Sequence, residues 1–432
     1  MSLLASSSLA IDAPTLWSPA NNSAGIVQTP SFTWSTVAGA ARYHVQIAND
    51  PGFTSLVADR SVDIPRFVPA SALSPTTKYW RVRAIDAEEN ASGWVWFTYQ
   101  LTAPASSYAV PDGASAAQVR DIIALAMQNR PAIVTFAHQG NYVFAEDPAP
   151  SKFLFEFTGA TDLIIDGNDA QITIKDNLDV GFLRLTNAAR VVVRGLRVDY
   201  DPVPHSLVDV VSNDSTATNL DVRVRLRPIA GQESDYYPAL TGNPAFTDHW
   251  SWAVLLDAAR PGRLKQGVPG AFGIVPADAT YIEGTSPAEY RIHHPGSGSG
   301  VYFNPGDILA ILCRTNVGSF CSTVNSTDVT FDRITCYATP MGNYYSYDGS
   351  DLKVLNCQTV LRDATRFMTA MADGVHSRAN TMGPWVENCT FIGNGDDGVA
   401  LYNKGIVVKA RLGTTSLKVA SEFMNLRSGD IV

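Results

Sequence analysis

Apolar and polar residues alternate with a period of two in short runs through the N-terminal part of the chain. Examples are Ser31-Phe32-Thr33-Trp34-Ser35, Tyr43-His44-Val45-Gln46-Ile47 and Tyr79-Trp80-Arg81-Val82-Arg83-Ala84. Half-buried strands give this pattern, and the Pro, Gly and Asn between runs supply turns, so 11–101 is predicted to be a β-sandwich. Trp34, Tyr43 and Trp80 are assigned to its core rather than to a sugar platform. Residues 102–107 read as a small-residue linker. The period then changes. Over 114–129, Ala117, Ile122, Ile123, Leu125 and Ala126 fall mostly on one helical face, and Pro131 follows. Ile133-Val134-Thr135-Phe136 and Gly140-Asn141-Tyr142-Val143-Phe144 return to strand.

A frame then recurs, with apolar residues at positions one and three and often Gly, Asn or Arg at position five. It fits Leu163-Ile164-Ile165-Asp166-Gly167, Val191-Val192-Val193-Arg194-Gly195, Val329-Thr330-Phe331-Asp332-Arg333, Leu352-Lys353-Val354-Leu355-Asn356 and Pro384-Trp385-Val386-Glu387-Asn388. The offsets between neighbours, 28, 23 and 32 residues, suit a solenoid with stiff strands and turns of variable length. Cys357 and Cys389 fall where an interior ladder would run. The helix would cover the open first coil. The rhythm is expected to occupy 108–202 (cap and first coils) and 326–405. Between them, 203–325 reads as an inserted β-barrel-like subdomain, with strand-like Asp221-Val222-Arg223-Val224-Arg225-Leu226 and Asp307-Ile308-Leu309-Ala310-Ile311-Leu312. Its Tyr236, Tyr237, Trp250 and Trp252 are assigned mainly to packing. At 406–432 a second β insert is expected to begin. Ser428-Gly429-Asp430-Ile431-Val432 resembles Pro305-Gly306-Asp307-Ile308-Leu309, so the native protein is expected to continue.

Composition narrows the function. With 432 residues, 45% hydrophobic and 17% charged, the chain can bury a large core. At about 150 residues per domain, two or three domains are expected. A formal charge of −9 argues against nucleic acid, whose binding rests on phosphate neutralisation. No apolar run reaches the ~18 residues of a membrane span. Met1-Ser2-Leu3-Leu4 lacks the start of a signal peptide. The 5 cysteines do not pair evenly, and a Cys313–Cys321 bridge stays open.

The chemistry concentrates in 372–401. Asp373 stands in Asp373-Gly374-Val375-His376, and Asp396 and Asp397 in Gly395-Asp396-Asp397-Gly398, 23 residues from Asp373 to Asp396. If one coil is about that long, adjacent rungs ~4.8 Å apart bring the three carboxylates together. Like charges so close do not all ionise cheaply, which favours a protonated acid beside an ionised base. Glycoside hydrolysis needs that pair. Gly393, Gly395 and Gly398 are expected to bend the backbone so that both adjacent aspartates face one side. A calcium site, with Asp348 or Asp363 contributing, is the rival reading.

Several stretches resemble known families. PSFTWSTVAGAARYHVQIANDPGF and TTKYWRVRAIDAEENASGW are similar to fibronectin type III-like modules of secreted bacterial enzymes. The helix with "apolar strand, Gly-x-Tyr, strand" resembles the cap of right-handed parallel β-helix enzymes of the pectinase type. The fold class implied is all-β: a fibronectin III-like sandwich, then a right-handed parallel β-helix carrying a β-rich insert. Asp373-Gly374 followed by Gly395-Asp396-Asp397 resembles polygalacturonases. It departs from them at Ala372 and Gly398, and their later His-Gly and Arg-x-Lys motifs are not seen. Asp-Gly-Val-His with Gly-Asp-Asp-Gly-Val is nearer to bacterial α-1,3-galactosidases of the blood-group-B type. That resemblance implies an inverting, exo-acting hydrolase on terminal α-galactosides, with Asp373 as general acid and Asp396 and Asp397 activating water. His376, Arg378, Tyr344 and Tyr345 are candidates for binding an oligo- or polysaccharide. A polygalacturonase would need a Lys and Arg cluster in the cleft, for which Arg378 and Lys404 alone are thin support, whereas the galactosidase resemblance stands without one. It implies no cofactor, with calcium left open, and a secreted, periplasmic or cell-surface location. A polygalacturonase-like enzyme, a calcium-dependent polysaccharide lyase and a non-catalytic carbohydrate-binding solenoid remain as alternatives.

Overall fold

The structure, a computed structural model, describes residues 11–145, 152–176, 179–230, 251–274, 279–312, 318–402, 407–414 and 416–420. The N-terminal unit packs two sheets face to face. One joins Leu16–Ser18, Phe32–Trp34 and Arg66–Phe67. The other orders Ser23–Gly25, Val95–Leu101, Thr77–Ile85, Arg42–Ala48 and Leu56–Val62. Alternate residues meet inside: Phe32, Trp34, Val45, Ile47, Trp80 and Val82 are all fully buried.

The helix is Ala116–Gln128, capped by Ser115 and Gln118, which bond each other's backbone amides. Its buried face is Ala116, Val119, Ile123 and Ala126. Ala117 and Leu125, expected on that face, are exposed, because the packed stripe runs one residue out of the register read from sequence.

The chain then winds as a parallel β-helix. One wall stacks Ser106–Val110, Ala132–Phe136, Thr161–Lys175, Ala189–Asp201, Thr327–Asp332, Ser350–Leu355 and Trp385–Glu387, each parallel to its neighbours. Thr161–Lys175 and Ala189–Asp201 bend onto a second wall, continued by Thr335–Cys336, Gln358–Thr359 and Thr390–Phe391. The third wall stacks Phe153–Thr158, Gly181–Thr186, Cys321–Val324, Tyr344–Tyr347, Val375–Arg378 and Val399–Tyr402. Position five of the frame is the corner. Gly195, Arg333, Asn356 and Asn388 have φ of 65, 51, 53 and 54°, where glycine and asparagine are the cheapest residues. In the Leu163 segment the left-handed turn falls one step later, at Asn168 and Asp169. Cys336 and Cys357 are buried and Cys389 is half-buried, all three as free thiols. Cys321 is also free and buried, and Cys313, the other half of the bridge left open, lies outside the described residues.

The insert is shorter than 203–325. Among the described residues, seven antiparallel strands run in the order Phe272–Ile274, Ser251–Leu256, Ile308–Leu312, His205–Asn213, Asn219–Leu226, Glu289–Pro295, Ala279–Ile282. Cys321–Val324 already belongs to the third wall. Its Ser and Thr, buried between coils, hid it from the apolar frame. Ile308–Leu312 is buried at every position. Ile308, Ala310 and Leu312 pack on the solenoid core and Leu309 and Ile311 on the insert's own. A strand covered on both faces loses its alternation. Of the aromatics assigned there, Trp252 is 37% exposed, while Tyr236, Tyr237 and Trp250 lie outside the described residues. Of 406–432, an antiparallel hairpin of Val407–Arg411 and Leu417–Ala420 is described. No described helix is long and apolar enough to cross a membrane.

The sandwich is bolted to the solenoid rather than strung from it. Position two of the frame faces outward, yet Ile164, Val192, Thr330 and Lys353 are buried. Ile26 and Val27 of the sandwich cover Ile164 and Val192. Arg66 pairs with Asp351 and lies over the Trp385 ring. Lys353 Nζ donates to the Thr29 carbonyl at 3.0 Å and pairs with Asp328. Breaking a buried pair from one side costs roughly 3–5 kcal/mol. Asp351→Asn is therefore expected to lower unfolding free energy by about 3 kcal/mol, read by denaturant titration, with sandwich and solenoid still unfolding in one transition.

At the insert's root His205 is buried with neither ring nitrogen bonded. Burial, and then nearby Arg366, pushes its pKa down to about 3. The unfolded chain therefore binds a proton that the folded one refuses between pH ~6.5 and ~3. Stability is expected to fall as pH drops through that window, by up to about 1.4 kcal/mol per unit. His205→Phe should flatten the slope in denaturation measured across pH.

Candidate active site

Backbone register assembles the site. Val375 pairs with Val399 and Tyr344 with Val375, so consecutive coils here are 24 and 31 residues. Asp373 thus stands beside Asp397 rather than Asp396. Gly374 N donates to the Asp397 carbonyl at 2.9 Å, and Asn343 N to the Asp373 carbonyl at 2.8 Å. A Cβ on Gly374 would lie 2.5 Å from the Gly398 carbonyl oxygen and 2.8 Å from the Phe391 ring, so only glycine lets the rungs close. Of the three glycines expected to bend the chain, Gly393 alone has a left-handed φ, 75°. One carboxylate oxygen from each of Asp373, Asp396 and Asp397 lies within 4.8 Å of the others. These three could hold a hard cation, though calcium takes about 6–8 oxygens. Neither Asp348 nor Asp363 joins the group.

The three differ in setting. Asp373 is 5% exposed, while Asp396 and Asp397 are open to solvent. His376 Nδ1 meets Asp373 Oδ2 at 2.7 Å, and the Tyr345 hydroxyl donates to the same oxygen at 3.3 Å. Tyr345 and His376 are register partners with stacked rings, centroids 4.6 Å apart. Tyr402 meets His376 edge-on at 5.1 Å. The Arg378 guanidinium lies 4.8 Å over Tyr347. Burial pushes the Tyr347 hydroxyl up to about 12, against the pull of Arg378.

Strand alternation corrects one assignment. Tyr344 is fully buried and points into the solenoid, against Phe320 and Phe331. It is core, not a substrate contact. Tyr345 lies on the outer face, on the rung beside His376. Tyr347, in the tyrosine stretch read from sequence as a stacking wall or a turn plug, follows Tyr345 by two and so shares its face, whereas Tyr402 was not singled out. Lys404 lies outside the described residues. The insert borders the site: a Cβ on Gly395 would meet Leu312 Cδ1 at 2.8 Å.

No family model and no curated protein matches the chain. Among solved structures, a family 28 exopolygalacturonase of Yersinia enterocolitica aligns over 88% of this chain and 70% of its own, at 10% identity and TM-score 0.34. A pectate lyase of Erwinia chrysanthemi aligns over 97% and 96%, at 10% identity and TM-score 0.17. An Fn3-like protein of Clostridium thermocellum covers 22% of this chain and 92% of its own, at 14% identity and TM-score 0.17. At TM-scores below 0.5 none of these likenesses carries weight on function.

The inward and outward tyrosines should separate in experiment. Tyr344→Ala is expected to cost about 3–5 kcal/mol of stability, as large buried aromatics do. Tyr345→Phe should cost under about 1 kcal/mol, the usual worth of one hydrogen bond. Thermal denaturation of both variants checks this.

Proposed function

We propose that this chain is a glycoside hydrolase acting on terminal α-galactosides, with Asp373 as general acid and Asp396 and Asp397 binding and activating water. The observation that carries it is the meeting of the three carboxylates within 4.8 Å, one shielded and two exposed. A shielded carboxyl held by Tyr345 and His376 is placed to give a proton to a leaving oxygen. Two solvated carboxylates side by side can accept both hydrogens of one water and aim its lone pair at the anomeric carbon. The half-buried Tyr347 and exposed Tyr402 offer aromatic surfaces on which a sugar ring can stack. This reading gives direct displacement and an inverted product. The choice of galactose rests on the sequence resemblance alone.

Retention is the alternative course. Retaining enzymes hold the two carboxyl groups roughly 5–5.5 Å apart and inverting ones roughly 6.5–9.5 Å apart. In that course Asp396 or Asp397 attacks carbon and forms a glycosyl ester that water then cleaves. Proton NMR of the first-formed product decides. The inverted anomer is expected, and the retained anomer would replace water activation with a covalent step. Asp373→Asn and Asp397→Asn should each lower turnover of an aryl α-galactoside at least ~100-fold, the usual worth of acid–base catalysis, with folding intact. Chelation should leave the wild-type rate unchanged. A rate abolished by chelator and restored by calcium would favour a lyase.

A further inference from the structure

The coil that carries Asp373 is longer than its neighbours. Between the second and third walls, Cys336 to Tyr344 and Phe391 to Val399 each leave 7 residues, while Thr359 to Val375 leaves 15. The extra length, within 360–374, does not hang free. Arg362 and Arg366 reach back across the Tyr337 rung to Asp199, two coils earlier. Arg366 Nη1 and Nη2 donate to Asp199 Oδ1 and Oδ2 at 2.6 and 3.0 Å, and Arg362 Nη1 donates to Oδ2. Asp199 is fully buried and Arg366 3% exposed. Asp199 is two residues from the end of its strand, Ala189–Asp201, from which the insert departs. His205, on the insert's first strand, lies close enough to feel the Arg366 charge. From the insert, Arg227 covers Phe367 at 5.1 Å, and Ala230 N donates to Thr365 Oγ1.

A fully buried carboxylate on a solenoid wall is costly unless it is paired. Besides the Tyr200 amide, which donates to Oδ1 at 2.9 Å, both oxygens are held by one excursion, the one that leads straight into Asp373. The next contacts along that excursion are with the rungs of the site. Thr369 N bonds the Gly393 carbonyl at 2.9 Å, Gly395 N the Ala370 carbonyl at 2.8 Å, and Met371 N the Met341 carbonyl at 3.0 Å. We infer that Asp199 is a positioning residue. It ties the 360–374 excursion to an earlier coil and thereby fixes where Asp373 stands against Asp396 and Asp397. The effect on turnover rests on the hydrolase reading above; the effect on the excursion does not.

The test pairs two readouts on the full chain. Asp199→Asn keeps the side chain's shape and removes its charge. Hydrogen–deuterium exchange should rise at least tenfold in peptides covering 360–376, with peptides covering 132–144 and 163–175 unchanged. Turnover of the aryl α-galactoside should fall at least tenfold in kcat with KM nearly constant, since no group that meets sugar is altered. Arg362→Gln, which leaves the Asp199–Arg366 pair in place, should show the same pattern more weakly and serves if the first variant does not fold. Unchanged exchange over 360–376, or a rise spread evenly over the solenoid, would overturn the inference. If wild-type protein hydrolyses no glycoside, the hydrolase reading fails, while the exchange result still decides the role of Asp199.

Discussion

Parallel backbone pairing between coils is the constraint on which everything else rests. Gly374 N to Asp397 O and Val375 N to Gly398 O fix the last two rungs of the third wall against each other. Because side chains alternate, that register decides at once which residues meet and on which face. A slip of one residue would turn His376 inward or bring Tyr344 out. Tyr345 and His376, far apart in sequence, thus become neighbours through the strands, and Asp373 and Asp397 join them from the segments just before Val375–Arg378 and Val399–Tyr402.

The solenoid does not stand alone. Its first wall would expose Ile164, Val192 and Lys353 if the sandwich were absent, and its second-to-third corner is overlain by the insert. Buried charge serves in two places: Arg66 with Asp351 and Lys353 with the Thr29 carbonyl hold the sandwich, and Asp199 with Arg362 and Arg366 holds the 360–374 excursion to an earlier coil. Buried ion pairs add little net stability over apolar packing, but they penalise any docking that leaves a charge unmet. They specify where each attached piece sits more than how tightly.

Much of this was legible in the sequence, because the frame of apolar positions one and three is a local signal. Position five was visible only as a recurrence of Gly, Asn or Arg; its role as the left-handed corner at Gly195, Arg333, Asn356 and Asn388 emerges in the structure. Position two carried information that went unread. The unbroken Leu163-Ile164-Ile165 and Val191-Val192-Val193 announce a wall covered on both faces, and the cover is the sandwich. Asp373, Asp396 and Asp397 were legible as a group because two motifs fell about one coil apart. The exact pairing with Asp397 was not, since coil length varies with the loops. Tyr344 and Tyr345 could not be sorted without the register, and the reach of Arg362 and Arg366 to Asp199 crosses two coils, beyond any local pattern.

The central claim is the alignment of the Asp373 rung with the Asp397 rung, and cross-linking tests it directly. His376 and Ala400 are register partners on one face, whereas Leu401 lies one step on and points the other way. On mild oxidation, His376→Cys with Ala400→Cys should lose both new thiols to a disulfide, counted by alkylation and mass. His376→Cys with Leu401→Cys should keep them. Linkage of 376 to 401 and not to 400 would contradict the register and, with it, the meeting of the three carboxylates.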